Sequence, residues 1–470
     1  MGDGADMASG VERQIGDRIA REIYRDPDFI DDPVIADYVQ SVWRPLLVAA
    51  RELGELGSEI EERFVWAIML GRDRTINAFA LPGGYLGVHL GLVAAVQSAD
   101  ELAAVLAHEL SHVTQRHISR MTGQQSRQTP LLIGAMVLAA IAAAKNPAAT
   151  GAVLTGSQAL AIQTQLNFSR DMEREADRIG YGVLVRAGYS PQGAVQMFQK
   201  LAQASRLNDN GSFPYLRTHP LTTERISDMQ SRQQLLPQGS PLQSTLEHQL
   251  VAARALVLAN ADIDALRQRV AQVGPQPPAL YAAALASLKM REPEEAQRHA
   301  LALREAVAAD ARALQVVRCL LAEIALARHD AAAALAALQL DDSADRATRE
   351  WSRPQLMLWG QAQLLRGSVD GLVDRLQTWV ALYPRDASAW QMLSAAYQRR
   401  GDALRAVRAD AEAFVARLDY AAALDRLRAA QDMVSQAARA GRPVDHIEAS
   451  IIDSRARQVG STLREQALQR

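Results

Sequence analysis

The sequence predicts a mainly α-helical chain, with a small β-sheet in its first half and a solenoid of paired helices in its second half. Aromatic residues make up only 5% of the 470 residues, and Ala, Leu, Gln and Arg, which favour helices, crowd the second half. Short apolar segments typical of strands lie before residue 90, and the composition changes near residue 238. We therefore expect an α+β domain over residues 10–238 and a helical repeat domain over residues 239–470.

The composition excludes two classes of protein. Hydrophobic residues account for 49% of the chain and charged residues for 22%, which is typical of a chain with a sizeable core and excludes a disordered protein. The 51 Lys and Arg residues are balanced by 53 Asp and Glu residues, which gives a net charge of -2. Because no basic excess is available to neutralise a phosphate backbone, nucleic acid is not an expected partner.

The first ninety residues carry both helix and strand signals. Residues 10–51 have apolar side chains at helical spacing, so we expect them to be helical. Residues 64–70 are apolar and partly β-branched, which favours a buried strand. Residues 75–88 form two extended segments around Pro82, Gly83 and Gly84, and this pattern predicts a β-hairpin.

Two further helices follow the hairpin. Ser98 and Glu101 form a capping-box pattern, which predicts a helix that begins there and runs through at least His117. A second helix is expected over residues 171–187, and it should stop at Gly188.

The second half of the chain repeats itself. Leu356 and Trp390 occupy the same position of a pattern that recurs after 34 residues, and looser copies begin near Leu280 and Arg318. This spacing resembles the tetratricopeptide (TPR) repeat of paired helices. The sequence therefore predicts a TPR-like α-solenoid.

One apolar segment, residues 131–144, is a candidate membrane span but is too short for one. A helix of this length reaches only about 21 Å, which is short of the roughly 30 Å hydrocarbon core of a bilayer. Two interpretations stay open: a buried helical hairpin, or a hydrophobic lid that makes peripheral contact with a membrane.

A candidate metal site lies on the first of the two predicted helices. His108, Glu109 and His112 form an HExxH motif, whose two His residues lie on one helix face and can bind one ion. Glu109 is rotated by about 100°, so its carboxylate can lie beside a metal-activated water. Zinc suits such imidazole ligands, and one Zn²⁺ per chain is expected. Because the string is short, an ordinary amphipathic helix is the alternative.

The second helix offers the third metal ligand. Glu173 and Asp177 share one face at i and i+4, whereas Glu175 points roughly 200° away. Glu173 can therefore bind the metal while Asp177 orients an imidazole from behind. The alternative is a set of surface acids beside nearby Arg residues, and that alternative is weaker once HExxH is present.

Three separated segments resemble a known family. NAFALPGGYLGV, HELSHVTQRH and SRDMEREAD occur in the order found in the HtpX/BepA-type gluzincin metallopeptidases. The resemblance covers about residues 10–235 and implies a zincin-like metallopeptidase domain with Glu173 as the third zinc ligand. With the TPR-like half, it extends to the BepA subgroup, periplasmic proteins that act as protease and chaperone in outer-membrane protein assembly. It implies a periplasmic location, although the first residues lack the apolar stretch of a signal peptide, which we presume has been removed.

The resemblance also implies roles for two residues of a later His-Pro segment. His219 matches a residue that lies on a loop over the zinc as a fourth, removable ligand that restrains the protease. Arg225 can either stabilise the oxyanion of the reaction or tie this loop down through a carboxylate. His117 lies about 140° from His112 around a continuous helix, so we expect a structural or supporting role for it.

These observations favour zinc-dependent peptide hydrolysis, with Glu109 as general base. The extended segment 76–81 is a plausible edge strand for unfolded substrate, with Asn77 near the cleft. The expected partners are unfolded or stalled outer-membrane proteins, and the β-barrel assembly machinery through the TPR domain. Two alternatives stay open: a TPR-mediated chaperone with a silent zinc site, and a plain TPR scaffold with a fortuitous HExxH motif.

Overall fold

The computed structural model describes residues 8–124, 169–206, 215–234, 244–340 and 351–468. The chain divides into two compact units, Met1–Val317 and Arg318–Arg470. The described parts are mainly helical with one four-stranded sheet, which confirms the predicted fold class. Residues 131–144 lie outside the described ranges, so both interpretations of that segment stay predictions. Among the described residues, every helix is too short or too polar to cross a membrane.

The first unit begins with an α+β region. Its strands are β1 (Phe29–Ile30), β2 (Ala67–Gly71), β3 (Ala78–Leu81) and β4 (Tyr85–His89). Its helices are α1 (Ser9–Arg25), α2 (Pro33–Glu52), α3 (Ser58–Arg63), α4 (Leu90–Ala95), α5 (Ala99–Thr114), α6 (His117–Gln124), α7 (Arg170–Arg186), α8 (Pro191–Arg206), α9 (Tyr215–Thr218) and α10 (Thr223–Gln234).

The sheet has the strand order β1-β2-β4-β3. β2 and β4 are parallel, whereas β1 pairs antiparallel to β2 and β3 pairs antiparallel to β4. The predicted hairpin is confirmed, and its turn uses positive φ angles of 75° at Gly83 and 85° at Gly84, which glycine adopts without strain. β3 lies at the edge of the sheet and contacts α5 (Ala99–Thr114).

Two elements predicted in the first ninety residues differ from the structure. The helix expected over residues 10–51 is interrupted after Arg25, because Asp32 caps a new helix by accepting a hydrogen bond from the amide of Ile35 at 2.9 Å. Pro33 follows it at the first position of α2, where its missing N–H costs nothing. The strand expected over residues 64–70 begins only at Ala67, after Trp66 at a φ of 54°.

The prediction that the HExxH helix runs through His117 is wrong. Ser98 caps α5 as expected, but the helix ends at Thr114. Arg116 has a φ of 52°, in the left-handed region, so the chain changes direction before α6 begins at His117. The capping box is also incomplete, because the Glu101 carboxylate accepts hydrogen bonds from the Gln97 amide and Lys200 instead of the Ser98 amide.

α5 is buried between α7, α8, α2 and β3. α7 approaches it closely because Ala176 and Gly180 are small: a Cβ at Gly180 would lie 3.1 Å from backbone atoms of Ala107 and His108. This approach brings the carboxylates of α7 to the two imidazoles of α5.

Four more helices complete most of the first unit. They are α11 (Leu246–Leu258), α12 (Ile263–Ala271), α13 (Pro277–Lys289) and α14 (Pro293–Ala306). α11 packs on α2 and α4, where buried Arg254 pairs with Asp32 at 2.7 Å and buried His248 contacts the Tyr38 hydroxyl at 2.7 Å. The first helices of the predicted repeat domain therefore belong to the same compact unit as the α+β region. The boundary at residue 238 itself stays a prediction.

The remaining helices follow in sequence. They are α15 (Ala311–Ala327), α16 (Ala331–Leu338), α17 (Arg353–Arg366), α18 (Asp370–Leu382), α19 (Ala387–Arg400), α20 (Ala403–Ala416), α21 (Tyr420–Arg439) and α22 (His446–Leu468). From α18 to α22, each helix packs on the next. α17 ends at Gly367 as α19 ends at Gly401, both in the left-handed conformation. The two helix pairs thus follow the 34-residue register, and the TPR assignment stays a prediction.

Candidate metal centre

Four predicted metal ligands meet in the first unit. His108 and His112 come from α5, Glu173 from α7, and His219 from the residue that follows α9. One ligand atom of each lies within 4.8 Å of the others, and all four side chains are buried. The structure therefore brings together residues from three separate parts of the chain.

The distances among these atoms are short. His108 Nε2 lies 3.0 Å from His112 Nε2, and the Glu173 oxygens lie 3.5 Å and 3.4 Å from these two nitrogens. His219 Nδ1 lies 3.4 Å from His108 Nε2 and 2.9 Å from Glu173 Oε1. The four ligand atoms thus surround a single point.

These residues fit a zinc ion. Zinc binds imidazole nitrogen and carboxylate oxygen at about 2.0–2.2 Å in tetrahedral sites, which implies ligand–ligand distances of about 3.3–3.5 Å. The observed distances of 2.9–3.5 Å lie close to this range. Three imidazoles and a carboxylate are also the donors that zinc prefers.

The charges around the site favour metal binding. Burial lowers the pKa of His112 well below its usual range, so this imidazole is neutral. Although burial opposes ionisation of Glu173, His219 and hydrogen bonds from the imidazoles hold the pKa of its carboxyl well below the usual range. Burial also lowers the pKa of His108, but Asp177 and Glu173 outweigh it and raise the pKa to about 10. The carboxylates that attract a proton to His108 attract a metal cation for the same reason.

Asp177 lies behind His108. Its Oδ1 contacts His108 Nδ1 at 3.0 Å, and its two oxygens accept hydrogen bonds from Arg225 at 2.6 Å and 2.8 Å. Arg225 also donates to the Pro220 carbonyl at 2.8 Å and contacts Glu173 Oε2 at 2.8 Å. These contacts favour the loop-tying role of Arg225 over the oxyanion role, because its guanidinium is occupied.

Glu109 lies beside the cluster without joining it. Its Oε2 accepts a hydrogen bond from the Ala80 amide of edge strand β3 at 2.9 Å, and its Oε1 lies 3.4 Å from His219 Nε2. The side chain has no exposed surface, and this burial raises the pKa of its carboxyl. A raised pKa suits a general base that must later release its proton.

Sequence reasoning missed Tyr215. Its ring stacks on His219 with a centroid distance of 4.5 Å and an interplanar angle of 25°, and it is buried. The His219 amide donates to the Tyr215 carbonyl at 2.9 Å, so the two residues are joined by one helical turn. Their i, i+4 spacing was the available signal.

Sequence reasoning also missed the contact between His117 and His112. The turn at Arg116 brings His117 Nδ1 to 2.9 Å from His112 Nδ1. Glu175, which was expected to point away from the metal ligands, lies 3.0 Å from His117 Nε2. By contrast, His89 contacts Thr75 and His248 contacts Tyr38, so neither of these contacts involves the cluster.

Comparison with known proteins gives consistent matches. The profile described as peptidase family M48 matches residues 49–233. The chain is 30% identical over 435 residues to a β-barrel assembly-enhancing protease of Yersinia pestis, and 30% identical over 433 residues to that of Escherichia coli K12. Each alignment covers 90% of this chain and 84% of the relative. A relative from Vibrio cholerae is 33% identical over 301 residues, which cover 63% of this chain but only 60% of that protein.

Proposed function

This chain is a metalloendopeptidase of peptidase family M48. We propose that it cleaves unfolded or stalled outer-membrane proteins in the periplasm. The proposal is supported by relatives that are named β-barrel assembly-enhancing proteases. The observation that carries the chemistry is a buried glutamate, Glu109, beside a cluster of three imidazoles and one carboxylate.

The reaction that this site supports is peptide hydrolysis. Zinc held by His108, His112 and Glu173 would supply the positive charge that polarises the scissile carbonyl and acidifies a water molecule. Glu109 Oε1 accepts the proton of that water, while its Oε2 stays anchored to the Ala80 amide. Glu109 then passes the proton to the leaving amine nitrogen.

Substrate docks on edge strand β3 by strand addition. Backbone groups alternate along a strand, and the Ala80 amide points away from β4 and towards Glu109. Within the described residues, this edge of the sheet therefore faces Glu109. Pairing at an edge reads the backbone more than the side chains, which suits unfolded β-rich clients.

His219 restrains the enzyme at rest. A fourth protein ligand takes the position that water needs for catalysis. Tyr215 stacks on His219, and Arg225 holds the following Pro220 carbonyl, so these two contacts keep this loop over the site. Movement of the loop would expose the metal and Glu109 to substrate.

The helices after residue 239 supply the partner contacts. A TPR-like solenoid would bind the β-barrel assembly machinery and support a chaperone activity. A second candidate function is therefore a chaperone whose zinc site is silent. The complete ligand set and the raised pKa of Glu109 favour the peptidase.

The test compares the rates at which wild type, Glu109→Gln and His219→Ala cleave an outer-membrane protein that has been unfolded in urea. We expect Glu109→Gln to lower kcat by about 10²–10⁴-fold, because the general base is lost, while one zinc per chain is retained. We expect His219→Ala to cleave faster than wild type, because the restraining ligand is gone.

Glu52→Gln is the control, since Glu52 pairs with Arg186 on the protein surface. Cleavage by Glu109→Gln at the control rate, or wild type without bound zinc, would contradict the peptidase proposal. Unchanged or lost activity in His219→Ala would contradict the restraint alone. Intact assembly of clients by Glu109→Gln in cells would favour the chaperone function.

A further inference from the structure

A chain of hydrogen-bonding side chains runs from the metal cluster to the protein surface. We propose that His117 and Glu175 are positioning residues that fix the orientation of the metal ligand His112 and which of its two ring nitrogens carries the proton. This inference deepens the proposed zinc site and rests on it. It concerns residues that neither bind the metal nor contact substrate.

This series of hydrogen-bonded side chains has three links. His112 Nδ1 lies 2.9 Å from His117 Nδ1, and His117 Nε2 lies 3.0 Å from Glu175 Oε2. Arg120 donates to the same Glu175 oxygen at 2.7 Å. His112 and His117 are fully buried, whereas the side chain of Glu175 is 29% exposed and that of Arg120 is 40% exposed. The chain thus starts in the core and ends at solvent.

The positions of the protons along these side chains determine which tautomer of His112 is favoured. An ionised carboxylate can only accept, so Glu175 favours the form of His117 with its proton on Nε2. His117 Nδ1 is then an acceptor, and it favours the form of His112 with its proton on Nδ1. That form leaves His112 Nε2, the nitrogen within the cluster, unprotonated and thus able to bind a metal.

The opposite arrangement is incompatible with metal binding. A proton on His117 Nδ1 would require His112 Nδ1 to accept it. The proton of His112 would then lie on Nε2, where it would block the metal. Glu175, which is partly exposed, therefore selects the tautomer of the buried ligand His112. It acts through the neutral imidazole of His117, across two hydrogen bonds.

The fold creates this contact by interrupting the HExxH helix. On a continuous helix, His117 would lie about 140° around the axis from His112. Arg116 adopts the left-handed conformation instead, with a φ of 52°, and its guanidinium is held by buried Glu12 at 3.1 Å. The turn redirects His117 towards His112 and towards Glu175 on α7. The position of His117 is thus fixed by its contacts with His112 and with Glu175.

The other imidazole of the HExxH motif is supported differently. His108 Nδ1 contacts the buried carboxylate of Asp177 directly, and Arg225 neutralises that carboxylate. For His112 an imidazole stands between the ligand and the acid, and the acid–arginine pair lies at the surface. The contacts behind His108 and those behind His112 both end on a carboxylate that is paired with an arginine. The same requirement, an imidazole oriented by an acid, is therefore met by two geometries.

The test measures zinc loss to a chromogenic chelator from the full chain. His117→Phe keeps an aromatic ring but removes both hydrogen bonds, and we expect it to release zinc about 10–100-fold faster than wild type. His117→Asn keeps an acceptor near the Nδ1 position, so it should restore part of the difference. Glu175→Gln removes only the charge that selects the tautomer, and it should release zinc faster than wild type by a smaller factor.

Two control variants separate positioning from general destabilisation. His248→Phe replaces another buried histidine, which contacts Tyr38 and the Val96 carbonyl, and Glu52→Gln replaces another surface acid. We expect both to release zinc at the wild-type rate. In zinc-loaded, ¹⁵N-histidine-labelled wild type, long-range ¹H–¹⁵N spectra should show the proton of His112 on Nδ1 and that of His117 on Nε2.

A wild type that binds one zinc while Glu175→Gln and His117→Phe release it at the control rates would overturn the inference. A His117 proton on Nδ1 in the zinc-loaded protein would overturn it as well. If His117→Phe does not fold, Glu175→Gln and the wild-type spectrum decide. A wild type that binds no zinc refutes the proposed function instead, so the two failures are distinguishable.

Discussion

At the scale of single residues, the centre depends on charges that are buried and paired. Arg225 and Asp177 are each about 5% exposed, and they form a bidentate pair behind His108. Burial raises the pKa of the Asp177 carboxyl, but the hydrogen bonds from Arg225 outweigh burial and hold this pKa below its usual range. A buried carboxylate that loses a bidentate cation is costly, so this pair should affect stability as well as zinc binding.

Replacing Arg225 by Met tests this dependence. With zinc removed by a chelator, we expect Arg225→Met to lower the free energy of unfolding by up to about 3–5 kcal/mol at pH 7, because buried Asp177 loses its bidentate guanidinium partner and keeps the contact with His108. Arg174→Met is the control, and it should cost less than about 1 kcal/mol, since Arg174 pairs with acids at the surface. The measurement is urea unfolding.

The same variant has a defined pH dependence. The lowered pKa of Asp177 contributes stability to the wild type above about pH 3.9, and this contribution is lost as the pH falls through the folded-state pKa. In Arg225→Met, burial favours the protonated carboxyl, so acid relieves the penalty. The difference between variant and wild type should therefore shrink between pH 7 and pH 4. A constant or growing difference would contradict the assigned pairing.

At the scale of elements, the site depends on how closely α7 approaches α5. A Cβ at Gly180 would lie 3.1 Å from the backbone of Ala107, whereas a Cβ at Gly182 would meet its nearest neighbour, Leu53, at 4.0 Å. The two glycines lie on the same helix, and Gly180 is buried whereas Gly182 is partly exposed. They therefore form a matched pair for testing the approach.

We expect opposite results from the same substitution at the two positions. Gly182→Ala should stabilise the protein by up to about 1 kcal/mol, because alanine favours the helix. Gly180→Ala should destabilise it by about 1–3 kcal/mol and weaken zinc binding, because α7 must move away from α5 and carry Glu173 with it. Urea unfolding and zinc titration measure both effects. Equal stabilisation by the two substitutions would show that the close approach is unimportant.

At the scale of the whole molecule, the first compact unit extends past the catalytic region to Val317. The M48 profile ends at residue 233, yet α11 packs on α2 and α4. Buried Asp32 caps α2 and pairs with Arg254, so the repeat region completes a charge pair that begins in the peptidase region. The catalytic region and the first repeat helices are thus expected to fold together.

Two fragments test whether residue 238 is a folding boundary. A fragment that ends at Asp310, before α15, should unfold cooperatively and bind one zinc ion. A fragment that ends at residue 238 should be less stable by at least about 3–5 kcal/mol, because Asp32 loses Arg254 and the faces of α2 and α4 are exposed. Calorimetry and zinc content distinguish them. Equal stability of the two fragments would support the boundary predicted from composition.

Much of the site was accessible to sequence reasoning because helical spacing is local. His108 and His112 share a helix face wherever that helix lies, and Glu173 and Asp177 share another. His219 was found only through a resemblance to a family, since a single His-Pro carries no periodicity. Tyr215 was missed because it acts by stacking on His219 within one short helical turn, and the contact between His117 and His112 was missed because it depends on where α5 ends.

The amino-acid sequence by itself determined which residues can bind a metal and that most of the chain is helical, because both follow from residue chemistry and short-range spacing. Only the tertiary structure decided that Arg116 turns the chain so that His117 reaches His112, that Arg225 is occupied by Asp177, and that α11 joins the first unit. These outcomes depend on which distant elements meet and on where buried charges find partners. Free energies of packing and desolvation, summed over segments far apart in the chain, decide both.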